Sequence, residues 1–289
     1  MKSKAVHLVF SVTASEEGMT LLSFLRAHCK EAPSIKAIKR AIDGKYCKVN
    51  GAVEQFSSHP LKKGDKISIN PIAFHSKSDS KPFLLSVLYE DASLLICNKP
   101  PGVISASQGA LILVHRLDKE TSGALIFAKS PEIKEKMVVI FQQHQVKKVY
   151  LALVDGCIEQ KSGEITNYLG KTGGYQGQTV YGAVSPAKGK KAITVWKLLK
   201  KGKKASAVQM EPITGRTHQL RVHLSQMGHP ILGDAQYGKR FRCAFHPQRH
   251  LLHAYAITFP HPVTERELKV IAPIPLDFKE ALSAVGIAL

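Results

Sequence analysis

Three short stretches hold the side chains that could do chemistry. In HRLDKETSG, His115 to Gly123, Asp118 lies between two aliphatic runs, ALILV (Ala110 to Val114) and ALIFA (Ala124 to Ala128), that have the length and composition of buried strands. A rigid sheet can hold a carboxylate on such a connection in a fixed position, although Asp and Ser there often do no more than satisfy turn backbone groups. In ITGRTHQLRVHLSQMGHPILGD, Ile213 to Asp234, Thr217 can cap a helix whose apolar stripe is Leu220, Leu224 and Met227, with Gly228 stopping it and Pro230 beyond. Arg221 stands at the edge of that stripe, where a desolvated guanidinium needs an acidic partner, and Asp118 is a candidate. Such a pair would keep the carboxylate charged at neutral pH, as a nucleophilic aspartate requires. In KKVYLALVDG, Lys147 to Gly156, Tyr150 opens an apolar strand. Its ring could stack on a base and its hydroxyl take or orient a proton; the plainer alternative is a core tyrosine.

Two other chemistries fit less well. A metal site made from Cys243, His246, His250 and His253 lacks the second cysteine pair that its spacing would call for, so no metal is expected. A serine hydrolase built on Ser122 lacks a G-x-S-x-G elbow.

The elements that must position these residues belong to a chain of 289 residues, long enough for one large domain and a small one. Its 41 Lys+Arg against 22 Asp+Glu give a formal net charge of +19, which favours a polyanionic partner through counterion release. Nucleic acid leads. An anionic membrane comes second, and no apolar run is long enough to span a bilayer. The opening residues alternate as Val6, Leu8, Phe10 against His7, Val9, Ser11, which reads as a strand rather than a secretory leader. The five cysteines are odd in number, scattered and without a C-x-x-C pair, which suits reduced thiols in a cytoplasmic protein.

The segment IAFHSKSDSKPF, Ile72 to Phe83, has the composition of a flexible connector and suggests a division into residues 1–72, a linker 73–83 and residues 84–289. Upstream, LLSFLRAHC and SIKAIKRAI carry helical apolar spacing, with Ser34 as N-cap of the second. Lys36, Lys39 and Arg40 share one face of that helix. Asn50-Gly51 in YCKVNGAVEQ signals a hairpin, bringing Lys48 onto a strand, and KKGDKISIN leads into another strand. These residues, from about Met19 to Ile69, resemble the S-four-like RNA-binding domain, which implies RNA contacts from Lys36, Lys39, Arg40 and Lys48. The match departs at Met19-Thr20-Leu21-Leu22, where relatives often begin with Arg-Leu-Asp. Downstream, SVLYEDASLLICNKP reads as strand, turn and strand. Lys188 to Lys204 holds eight lysines and no acid around the strand-like AITVWKLL, a solvated face that could also touch phosphate.

Taken together, NKPPGV, HRLDKETSGALIFAK, KVYLALVDG, GKKAIT, TGRTHQLRVHL, GHPILGDAQYG and LLHAYAITFPHPV resemble, in that order, the RluA-type pseudouridine synthases from about Leu88 to Pro275. The resemblance implies an α+β fold, with a mixed, largely antiparallel sheet in the catalytic domain and a small α+β RNA-binding domain before it. It implies that Asp118 is the catalytic aspartate, that Tyr150 stacks on the uracil and assists proton removal, and that Arg221 pairs with Asp118. It places Arg116, which would help expel and replace the target nucleotide, and Leu220 at the substrate. It implies no cofactor. A lone carboxylate suits isomerisation, since glycoside hydrolysis normally uses two and the acid nearest Asp118 is Glu120. The expected partner is ribosomal RNA, met by a monomer away from any membrane; transfer RNA as substrate, or RNA binding without catalysis, are the alternatives. Only twelve residues separate Gly102 from His115, fewer than relatives commonly carry, which shortens one wall of the expected cleft.

Overall fold

The structure, a computed structural model, describes residues 7–288 apart from 33, 45, 55, 76–85 and 176–177; the side chains of Lys36 and His75 also lie outside the description. The chain divides into two compact units, a small one drawn from residues 1–81 and a large one from 82–289, the hairpin tip 174–179 apart.

In the small unit, β1 (Leu8–Ser11), β2 (Cys47–Val49), β3 (Ala52–Val53) and β4 (Lys66–Ile69) form a sheet in the order β1-β4-β2-β3. Helices α1 (Leu21–His28) and α2 (Ile35–Asp43) bury Leu21, Phe24, Leu25, Ile38 and Ile42 in the core of this unit. Ser34 caps α2, its Oγ accepting the Ala37 N–H at 3.2 Å. Asn50 and Gly51 turn the β2–β3 hairpin with φ of 51° and 84°, the two positive angles a type I′ turn needs. The expected linker begins too early. Ile72–His75 is a short helix, α3, whose Ala73 and Phe74 are buried in the same core. Its start is set by Asn70, whose side chain accepts the Ile72 N–H at 3.1 Å, with Pro71 at the first turn, where its missing N–H costs nothing. The rest of the expected linker lies outside the described residues.

In the large unit the elements in chain order are β5 (Ser86–Glu90), β6 (Leu94–Lys99), β7 (Ile112–Leu113), β8 (Ser122–Ala128), α4 (Pro131–Gln142) and β9 (Lys147–Asp155). There follow β10 (Ser162–Tyr175), β11 (Gln178–Ala183), β12 (Lys190–Lys201), β13 (Ala205–Pro212), α5 (Gln219–Gln226), β14 (Leu252–Pro260), β15 (Glu267–Ile271) and α6 (Leu276–Ala284). The strands make one mixed, largely antiparallel sheet ordered β11-β10-β12-β13-β9-β14-β8-β6-β5, with β7 on β8 and β15 on β14; β8 and β14 run parallel.

Strand β8 reads as an unbroken apolar run because both its faces are covered. Ala124, Ile126 and Ala128 pack in a cluster with Ile133 and Met137 of α4, while Leu125 and Phe127 pack with Leu95, Cys97 and Leu117. The other aliphatic run departs from expectation. Only Ile112 and Leu113 of ALILV form a strand, and both are half-buried. Gln108 and Leu111 close a tight turn through paired backbone hydrogen bonds, with Gly109 at φ 57°, and this turn consumes the first residues of the run.

Candidate active site

The sheet register brings the reactive stretches together. Gly123 of β8 stands beside Ala254 of β14, Ala254 opposes Tyr150 of β9, and Tyr150 opposes Met210 of β13. The loop that enters β8, the tyrosine strand and the strand that leads into TGRTHQLR are thereby neighbours. Gly123 is required in this row: its φ is 116°, and a Cβ would collide with the backbone of Ala254.

The loop carrying Asp118 is fixed residue by residue. Ser105 Oγ accepts the Leu117 N–H at 3.1 Å and donates to the Leu117 carbonyl at 3.0 Å. Lys99, fully buried, donates to the carbonyls of Pro100, Val103 and Lys119 at 2.9 to 3.0 Å. Burial lowers its pKa to about 8 against the opposing charge of Glu120. Arg249 donates through Nη1 to the Glu120 carbonyl at 2.9 Å and is itself held by Asp277. Thr121 is hydrogen-bonded to His250 Nε2 and Ser122 to His253 Nδ1, both at 2.9 Å. His253 Nε2 faces the Ala272 carbonyl and donates to it, so Nδ1 accepts the Ser122 hydroxyl proton. Burial pushes both histidines down to about 4 and keeps them neutral. Two of the three histidines of the metal reading, His250 and His253, are therefore spent on this loop, and among the described residues no group of three His, Cys, Asp or Glu could hold a metal ion.

Arg221 of α5 is buried and donates from Nη1 to Asp118 Oδ2 at 3.2 Å. Its principal partner is a residue the sequence reading did not single out. Asp234, almost wholly buried, takes Nε at 2.7 Å and Nη2 at 2.9 Å in a two-pronged pair, and Gln236 Oε1 accepts a further bond from Nη2 at 3.0 Å. Burial opposes the charge of Arg221, but Asp234 first and Asp118 second outweigh it and push its pKa up. Asp234 is held below the usual carboxylate range because the same guanidinium overcomes its burial. The spacing that could have revealed Asp234 is GHPILGD, where a buried acid follows a tight turn at Gly233, φ 81°.

The start of α5 differs from expectation. Thr217 is not its cap; His218 occupies that position in the left-handed region, φ 55° and ψ 17°, without a side-chain cap. The turn is held instead by Gln219, whose Oε1 accepts the Arg216 N–H at 3.0 Å and the Thr214 hydroxyl at 2.7 Å, while its Nε2 donates to Ile193 and Thr194 of β12. That docking releases Thr217 from the cap and turns His218 towards Asp118, with Nε2 3.9 Å from Oδ1.

These groups line a cavity of about 500 Å³, within the usual size of a small-molecule site. Asp118, Tyr150, Arg116, Leu220 and Arg221 all contribute to its wall. Leu220 is also part of the core, and Arg116 is exposed, without a hydrogen bond to the other described residues. Burial and the charge of Asp118 push the Tyr150 hydroxyl up, so it is a phenol at neutral pH. Lys39, Arg40 and Lys48 lie exposed on α2 and β2 of the small unit, outside this cavity, and the side chain of Lys36 lies outside the described residues.

The family described as RNA pseudouridylate synthase matches residues 93–226. The ribosomal large subunit pseudouridine synthase C of Buchnera aphidicola subsp. Baizongia pistaciae is 33% identical over 304 residues, covering 94% of this chain and 95% of the relative. The protein of that name from Vibrio cholerae serotype O1 is 31% identical over 299 residues, covering 92% of this chain and 93% of its own. Among solved structures, Human RNA Pseudouridylate Synthase Domain Containing 4 superposes with a TM-score of 0.60 at 25% identity, covering 71% of this chain and 94% of that one. With its mixed sheet and these full-length relatives, the chain belongs to the RluA-type pseudouridine synthases, enzymes that isomerise uridine in RNA.

Proposed function

We propose that the chain converts specific uridines of large-subunit ribosomal RNA to pseudouridine through Asp118 as nucleophile. One observation carries this reading. Asp118 is the only acid among the described residues lining the cavity, and it sits on a loop anchored at Leu117, Lys119, Glu120, Thr121 and Ser122, with a guanidinium on one oxygen. The bond between ribose and the base nitrogen breaks, the uracil turns, and carbon five rejoins the ribose; a proton leaves carbon five and the freed nitrogen gains one. A single carboxylate that bonds transiently to the nucleoside can serve such a cycle without water. Tyr150 stacks on the uracil and, as a phenol, relays the carbon-five proton rather than acting as a phenolate. Arg116, exposed at the cavity, fills the gap left by the extruded nucleotide. Extrusion costs a few kcal/mol, offset by phosphate contacts from the basic surface.

The small unit, an S-four-like domain in this reading, adds RNA affinity through Lys36, Lys39, Arg40 and Lys48. The large-subunit target follows the names of the two bacterial relatives. In this reading the chain acts as a monomer, and the buried free thiols Cys29, Cys47, Cys97 and Cys243 suit the cytoplasm. The test is a map of pseudouridines in RNA from cells lacking the protein. Uridines of large-subunit RNA are expected to stay unmodified, to be restored by the wild-type chain, and not by Asp118→Asn. Loss confined to transfer RNA would move the substrate. Restoration by Asp118→Asn would remove the nucleophile.

A further inference from the structure

We infer that His218 is a positioning residue for the isomerisation: it turns an Nε2–H towards the free oxygen of Asp118, in a tautomer dictated by Tyr237. The inference rests on the reading of Asp118 as the reacting carboxylate. The direction of each hydrogen bond carries it. Tyr237 Oη accepts the backbone N–H of Tyr181 at 3.0 Å, so its own proton is free for the second contact. That contact is His218 Nδ1 at 2.8 Å. An Nδ1 that accepts leaves the ring proton on Nε2. Nε2 is the atom that faces Asp118 Oδ1, 3.9 Å away, while Arg221 binds Oδ2.

Three further observations belong to the same arrangement. The His218 ring is wedged edge-on between Tyr181 and Tyr237, at centroid separations of 5.7 and 5.6 Å, so it has little freedom to rotate. Its backbone occupies the left-handed region, uncommon for a residue with a side chain, at the point where the chain enters the cavity wall. Burial lowers its pKa against the opposing charge of Asp118, so a neutral ring, with a tautomer to be chosen, is the form present at neutral pH. The charged groups around it are Asp118, Arg221 and Asp234. Tyr237 touches both groups that face the Asp118 carboxylate, its hydroxyl standing behind the imidazole and its ring 4.9 Å from the Arg221 guanidinium. The 3.9 Å gap exceeds a hydrogen bond, and contacts of this kind commonly tighten only when substrate is bound.

The test uses the full chain and ribosomal RNA from a strain lacking it, with kcat and KM for pseudouridine formation and thermal unfolding measured for each variant. Glutamine can place an amide N–H near the position of Nε2, whereas asparagine reaches only that of Nδ1. His218→Gln is expected to keep kcat within about threefold of wild type and His218→Asn to lose about a hundredfold, the usual cost of a misplaced reacting group. Tyr237→Phe, which keeps the ring but frees the tautomer, is expected to lose about tenfold in kcat with KM unchanged. A merely structural histidine predicts the reverse order, because asparagine preserves the contact with Tyr237 and glutamine does not. That order, or wild-type kcat in Tyr237→Phe, overturns the inference, and the second result decides the matter even if the His218 variants fail to fold. Asp118→Asn is run alongside. If it is active, the reading of the nucleophile fails; if it is inactive while the other variants behave as a structural role predicts, only the role of His218 fails.

Discussion

The small unit buries only apolar side chains and cysteines among its described residues, with Phe24, Ile42, Ile67 and Phe74 at its centre. The large unit buries Lys99, Gln219, Arg221, His223, Asp234, Arg249, His250 and His253 as well. Burying such groups costs stability unless each finds its partners. These eight groups trace to the cavity: Lys99, Arg249, His250 and His253 hold the Asp118 loop, Gln219 and His223 bind Thr194 of β12 beneath α5, and Asp234 holds Arg221, whereas the buried Asp155 and His261 hold turns elsewhere in the unit. The difference teaches where this fold has traded apolar packing for orientation. One core holds a shape, and the other holds a set of atoms.

The largest test of that contrast is Arg221→Met. It strands Asp234, whose side chain is 1% exposed, and should destabilise the large unit by about 3–5 kcal/mol while abolishing isomerisation. Trp196, the single tryptophan, lies in the large core, so its fluorescence in urea reports this loss; an unchanged midpoint would undo the argument. Lys99→Met should cost about 2–3 kcal/mol, because three carbonyls lose their donor, and should lower kcat through the loosened loop. A rescued kcat with lowered stability would separate the lysine from positioning.

The next effect is in pH. His250 and His253 titrate ordinarily near 6.5 in the unfolded chain but near 4 in the fold. Between those values the unfolded chain takes up protons that the fold refuses. The contribution of these two histidines to the stability of the large unit should therefore fall as pH drops from 6.5, by on the order of 1 kcal/mol per pH unit for each, and change no further below about 4. Hydrogen exchange should show β8 and β14 losing protection across the window from 6.5 to 4.5, with β2 and β4 of the small unit steady. Equal losses in both units would erase the distinction. The smallest effect concerns Lys39→Ala and Lys48→Ala. Each should weaken RNA binding by less than about 1 kcal/mol and reduce the salt dependence by about one counterion, leaving kcat alone.

The same contrast explains what could be read from the chain. In the small unit, local rules sufficed: the Ser34 cap and the Asn50-Gly51 hairpin are set by residues within three positions of one another. In the large unit, Asp118 and Arg221 could be paired on paper because a buried arginine needs an acid, and the structure places them 3.2 Å apart. Asp234 was missed as the stronger partner because nothing in the pattern says that the chain doubles back after Gly233. The docking of Gln219 on β12 was equally hidden, and with it the displacement of Thr217 by His218. Strand length in ALILV failed because Ser107, which accepts the Leu113 N–H, and the Gly109 turn override its composition. Local chemistry writes caps and turns; tertiary hydrogen bonds between distant stretches do not announce themselves.

The anchors of residues 117–122 come from Lys99 and Ser105 ahead of the loop and from Arg249, His250 and His253 well after it, with Arg249 braced in turn by Asp277 of α6. During synthesis the loop that carries Asp118 emerges long before its last supports do. A nascent chain can thus carry the aspartate yet be unable to aim it. The loop is held in its final position only once β14 and α6 have been made and have docked on the sheet, because Arg249, His250, His253 and Asp277 all follow it in the chain.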